Sequence, residues 1–171
     1  MNGSLLQDAF DHHCWATLKL LDACAALTDE QLATMVPGTY GTILDTLRHT
    51  VGADRSYLQV LGGEALPTFD EDHATVADLR RVMEEDEAAW RMSLARDMDP
   101  AAMVTRHRDD GSTSTAPLTI RLAQVVHHGT DHRSQVCTAL TALGLEPPLI
   151  DAWDFADAGG RLSETPPTTA S

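Results

Sequence analysis

Two histidines, His128 and His132, stand four residues apart in a stretch of helical periodicity, and a third, His49, lies in another. Residues four apart sit one above the other on a helix face, so two imidazoles at that spacing can reach one cation. Neutral imidazole is a borderline-soft donor that suits zinc, nickel, copper or ferrous iron, and three of them leave positions open for water or substrate. Thr46, Gly52, Ala53 and Ser56 surround His49 with small side chains, so this flank has room where a bundle is ordinarily filled. The spacing also has a plain alternative. With eight histidines in 171 residues an i, i+4 pair arises easily by chance, and HxxxH without the glutamate of HExxH is a weak motif. By that standard His12, His13, His73, His107 and His127 are not ligands, and for the other three ordinary hydrogen-bonded or surface roles stay open.

Four amphipathic segments must position these rings. From Leu5 to Leu27 the residues Leu6, Phe10, Cys14, Leu18, Leu21 and Ala25 recur at three and four, which predicts helix one. Thr28 and Gln31 then have the spacing of a capping box for a short extra turn before Pro37 and Gly38 break the chain. Helix two is predicted between Gly41 and Leu61, on Leu44, Leu47, Val51, Leu58 and Leu61, with Gly62 and Gly63 as its stop. Thr75 and Asp78 open helix three, whose stripe Val76, Leu79, Met83, Trp90, Leu94 and Met98 runs on toward Pro100. Its run Glu84, Glu85, Asp86 and Glu87 reads as a solvated face. Asp109, Asp110 and Gly111 suggest a turn and a short hairpin within 104–117. Helix four follows over Leu118 to Leu143, with Leu122, Val125, Gly129, Val136 and Leu140 inward and Gly144 as its end. A short helical segment is expected over Leu149 to Ala156.

The expected fold class is therefore all-α, an antiparallel four-helix bundle with that hairpin between helices three and four. One domain is expected over 1–158, followed by a flexible tail over 159–171 rich in Gly, Pro, Ser and Thr. The connections are too long to reveal the order of helices around the bundle. Against 26 acidic residues stand 12 basic ones, a formal charge of −14, so nucleic acid and anionic membranes are unfavoured partners. Three cysteines, Cys14, Cys24 and Cys137, without CxxC spacing fit a reducing interior. No stretch approaches the ~18 apolar residues that cross a bilayer, and a cytoplasmic location is expected.

The same residues resemble a known family. Trp15 and Ala16 followed by Leu20, Leu21 and Asp22, His49 followed by Ala53 and Asp54, and the run His128, Gly129, Thr130, Asp131, His132, Arg133, Ser134, Gln135 are similar to motifs of the DinB-like, damage-inducible four-helix metalloproteins. Asp131 and Ser134 depart from the family's HGTHHRGQ, and the exit Gly144 to Pro148 with Asp151 also resembles it. The resemblance covers about residues 5–156 and is more specific than any single motif. It implies that His49, His128 and His132 hold a divalent ion, zinc or nickel foremost and iron as a further option. It also implies a homodimer and, in some members, metal-dependent S-transfer with a low-molecular-weight thiol.

A metal with an open position lowers the pKa of a bound thiol or water and so makes a nucleophile at neutral pH. The leading expectation is a thiol-dependent S-transferase acting on a small electrophilic substrate. The alternatives are a metal-dependent hydrolase, with Asp54 or Asp131 orienting water, and a non-catalytic metal-binding stress-response protein. Asp54, Asp131 and Gln135 are expected beside the ligands, where both acids more readily cap, pair with Arg55 or Arg133, or support an imidazole. No residue is assigned a catalytic role.

Overall fold

The structure is a computed structural model that describes residues 4–62, 66–108 and 110–165. Its elements are α1 (Leu5–Cys24), α2 (Asp29–Leu32), α3 (Ile43–Gly62), α4 (Val76–Leu94), β1 (Met103–His107), β2 (Thr113–Pro117), α5 (Leu118–Ala142) and α6 (Ala152–Ala158). The four long helices are helices one to four of the sequence reading, and the short hairpin lies where the turn residues placed it.

Helix starts follow local chemistry. Ser4 accepts the Gln7 amide at the head of α1, and full capping boxes open α2 (Thr28 with Gln31), α4 (Thr75 with Asp78) and α6 (Asp151 with Asp154). These side chains satisfy amides that a helix start leaves without partners. At the end of α5, Gly144 takes a φ of 74°. The Leu145 and Gly144 amides bond back to the Leu140 and Thr141 carbonyls there, a closure that a left-handed residue allows. Gly63, expected to help stop α3, lies outside the described residues.

α4 ends at Leu94, four residues before Met98, and α1 ends at Cys24, before Leu27. Met98 and Leu27 still pack against the core from irregular chain, which is why they kept helical spacing without being helical. The acidic run on α4 needs a larger correction. Glu84 is exposed, but Asp86 has no exposed surface and lies 2.6 Å from Arg55 Nε. A guanidinium buried on α3 requires acceptors, and α4 supplies two, Asp86 and Glu85, from what looked like its solvent face.

α1 packs on α4 and α5, and α3 packs on the same two. The helices thus run around the bundle in the order α1, α4, α3, α5, with α3 and α5 side by side. Phe10 and Trp90 meet at the α1–α4 seam with ring centroids 4.7 Å apart, each burial contributing roughly 1.5–3 kcal/mol. The hairpin is antiparallel, with Arg106 opposite Ser114. It is tied to α5 by Arg121, whose guanidinium donates to the Val104 and Ser114 carbonyls. No described helix is long and apolar enough to cross a membrane. Arg161, inside the segment expected to be loose, pairs with Asp8 at 2.7 Å and lies over the Phe155 ring.

Candidate metal centre

The neighbouring faces of α3 and α5 bring three imidazoles together. His49, His128 and His132 each offer a ring nitrogen, and these nitrogens all lie within 4.8 Å of one another. Their ring centroids are 4.4 to 5.0 Å apart and the planes are steeply inclined to each other, so their edges, not their faces, converge. His49 Nε2 and His128 Nε2 are 3.0 Å apart. One of the two carries a proton toward the other's lone pair, at a place a cation would take.

Burial and then the neighbouring histidines lower the pKa of His128 to about 4, and burial followed by His132 lowers that of His49. Both rings are therefore neutral at neutral pH, the form that donates a lone pair to a metal. Gln135 Oε1 lies 3.1 Å from His132 Nδ1 and accepts the Tyr40 amide at 2.9 Å. With Nδ1–H donating to that oxygen, the His132 lone pair sits on Nε2 and turns toward the other rings. Tyr40 also stacks on His49 at 4.1 Å, 11° from parallel, and meets His132 edge-on. His128 Nδ1 is buried with no partner among the described residues.

Gln135 thus stands beside His132. Asp54 does not touch the three rings. Its buried carboxylate is 2.7 Å from Nε2 of His13, a fully buried ring on α1. Arg133 Nη1 donates to His13 Nδ1 at 3.0 Å and to Thr17 Oγ1. That donor makes Nδ1 the acceptor and leaves Nε2–H to face Asp54, and the chain Arg133, His13, Asp54 joins α5, α1 and α3 through the middle of the bundle. Asp131 is exposed and makes no hydrogen bond or ion pair among the described residues.

The space predicted beside His49 exists, but it is partly used. Gly52, Ala53, Ser56 and Tyr57 line a cavity of about 220 Å³ that also reaches His49 and His128. Glu71 and Arg106 complete its wall. A Cβ on Gly52 would fall 2.2 Å from Glu71 Oε2, so the absent side chain makes room for that carboxylate. Burial, then Asp72, raises the Glu71 pKa. Sequence reasoning missed Tyr40, Glu71 and Arg106. Only Arg106 had a usable signal, since it shares the inward face of β1 with Val104.

A family model described as the DinB family matches residues 1–165. The chain belongs to the DinB family. A crystal structure of a DinB-like protein from Bacillus cereus ATCC 10987 is similar with a TM-score of 0.66 and 20% identity, over 85% of this chain and 95% of that one. At that identity the likeness concerns the fold alone. No curated protein matches the chain. For this DinB family member, the three clustered histidines could hold a metal ion, and the donor set fits one: three imidazole nitrogens, two of them 3.0 Å apart.

Proposed function

We propose that this protein is a divalent-metal-dependent S-transferase in which His49, His128 and His132 hold zinc or nickel and a small thiol adds to an electrophilic substrate. The observation that carries the reading is the convergence of three ring nitrogens within 4.8 Å beside a cavity that both helices open onto. A divalent ion there would supply Lewis acidity, favouring the thiolate form of a bound thiol at neutral pH. The chain's own contribution is positional. Gln135 orients His132, Tyr40 stacks on His49, and Tyr57 and Arg106 shape the cavity in which the partners meet. None of the three cysteines supports an alternative protein nucleophile, because burial raises the pKa of Cys14, Cys24 and Cys137. Hydrolysis is less favoured, since Asp54 is engaged by His13 and Asp131 faces solvent.

Elemental analysis of natively purified protein and of the His49→Ala and His128→Ala variants tests the first half. About one ion per chain is expected, and each variant should lose it. Thiol-dependent consumption of an electrophile panel tests the second half, and tight metal binding with no thiol-dependent turnover would refute catalysis. If EDTA then unfolded the protein, the ion would be a fastener for α3 and α5 instead.

A further inference from the structure

We infer that the cavity beside the three histidines takes a ligand bearing a carboxylate, and that Arg106 is the residue that selects it. The inference rests on the reading that the histidines hold a metal, and it names the substrate class of that site.

Arg106 is unlike every other cation in the chain. The other eleven of the twelve Lys and Arg side chains each have a hydrogen bond, an ion pair or a ring contact. Arg106 has none among the described residues. In a protein with 26 acidic residues an arginine with no counter-ion among the described residues is conspicuous, because partners are abundant.

Its position is also built. Strand alternation turns Arg106 inward with Val104. Arg121 grips the carbonyls of Val104 and of Ser114, the residue opposite Arg106. The hairpin is therefore held to the start of α5 at the level where Arg106 lines the wall next to His128, His49 and Tyr57. Glu71 shares that wall but makes no ion pair with Arg106 among the described residues, so it does not occupy the guanidinium's donor fork.

A guanidinium offers a planar fork that matches a carboxylate through two parallel N–H donors. With a net charge of −14 the protein as a whole repels anions, so a local fork is what would admit one and exclude its neutral analogue. The volume of about 220 Å³ accommodates a small molecule. The carboxylate can belong to the thiol or to the electrophile, and the two sources separate experimentally.

The first arm titrates cobalt-loaded protein with 3-mercaptopropionate and with 3-mercaptopropionamide, following the thiolate-to-metal charge-transfer band. If the charge belongs to the thiol, the acid binds about ten-fold more tightly, the scale of one charge-assisted contact. Arg106→Gln should then bind both alike, and Arg106→Lys should keep part of the preference. In the second arm, zinc-loaded protein saturated with 2-mercaptoethanol is titrated with propionate and propionamide while the arginine Nε–Hε signal that Arg106→Gln removes is followed by NMR. A saturable shift with propionate alone, together with equal binding of the two thiols, assigns the charge to the electrophile.

The inference is overturned if neither arm shows a charge preference, or if a preference survives Arg106→Gln. Should the protein fail to bind cobalt or zinc, the metal reading falls separately. The propionate titration of metal-free protein then decides, with a saturable Arg106 shift retaining the anion site and its absence removing it.

Discussion

Gly129 on α5 is buried against His13 and Arg133, and replacing it tests how tightly the polar centre is packed. An alanine Cβ at this position would lie 2.3 Å from His13 Cε1, 2.6 Å from His13 Nδ1 and 2.9 Å from Arg133 Nη1. The His13 ring cannot swing aside freely. It has no exposed surface and is held at both nitrogens, by Asp54 at 2.7 Å and by Arg133 at 3.0 Å. Overpacking of this kind costs roughly 1–3 kcal/mol, and loosening the Arg133 to His13 contact costs about 1–2 kcal/mol more. Alanine returns about 1 kcal/mol of helix propensity. Gly129→Ala should therefore destabilise the fold by about 1–4 kcal/mol, which for a chain of this size lowers Tm by roughly 2–16 °C. Urea denaturation read by circular dichroism measures it. Combining it with His13→Ala removes the obstructing ring, so the double variant should be more stable than the sum of the two single losses by at least about 1 kcal/mol. A Gly129→Ala variant as stable as the parent, or more stable by the ~1 kcal/mol of an unobstructed helical glycine, would refute the packing. So would strict additivity in the cycle.

Gln135→Ala removes the acceptor that orients His132, and metal affinity measured by chelator competition should fall about 10- to 100-fold while the helical spectrum is unchanged. Asp86 provides a pH test. Burial raises its pKa to about 7 from an ordinary value of 3.8, despite the opposing pull of Arg55. The folded chain thus keeps this proton where the unfolded chain has lost it, so the stability it contributes is full below the unfolded value of 3.8 and is lost as pH rises through about 7. Asp86→Asn cannot titrate, so between pH 4 and 7.5 its urea midpoint should fall less than the parent's, a difference of up to a few kcal/mol. Parallel curves for the two proteins would contradict that assignment.

Much of the fold is legible in the chain itself, for a local reason. Periodicities of three and four, capping pairs such as Thr75 with Asp78, and Gly144 depend on neighbours a turn away, and they located the helices and the hairpin. Their weak points were local as well. Met98 and Leu27 bury from irregular chain, and no periodicity separates that from another helical turn. His128 and His132 could be paired from spacing, since one helix carries both.

Whether His49 would meet those two rings depended on α3 and α5 being neighbours, which connections of that length do not reveal. The family resemblance suggested the set, and the packing of the two helices brings it together. Everything that joins different elements belongs to the tertiary structure alone: Asp86 reaching Arg55, Asp54 reaching His13, Glu71 beside Gly52 and Arg106 beside His128. A charged residue looks the same in sequence whether it meets water or a buried partner. The partner and the desolvation that decide its role come from segments distant in the chain, and they exist only once the helices have packed.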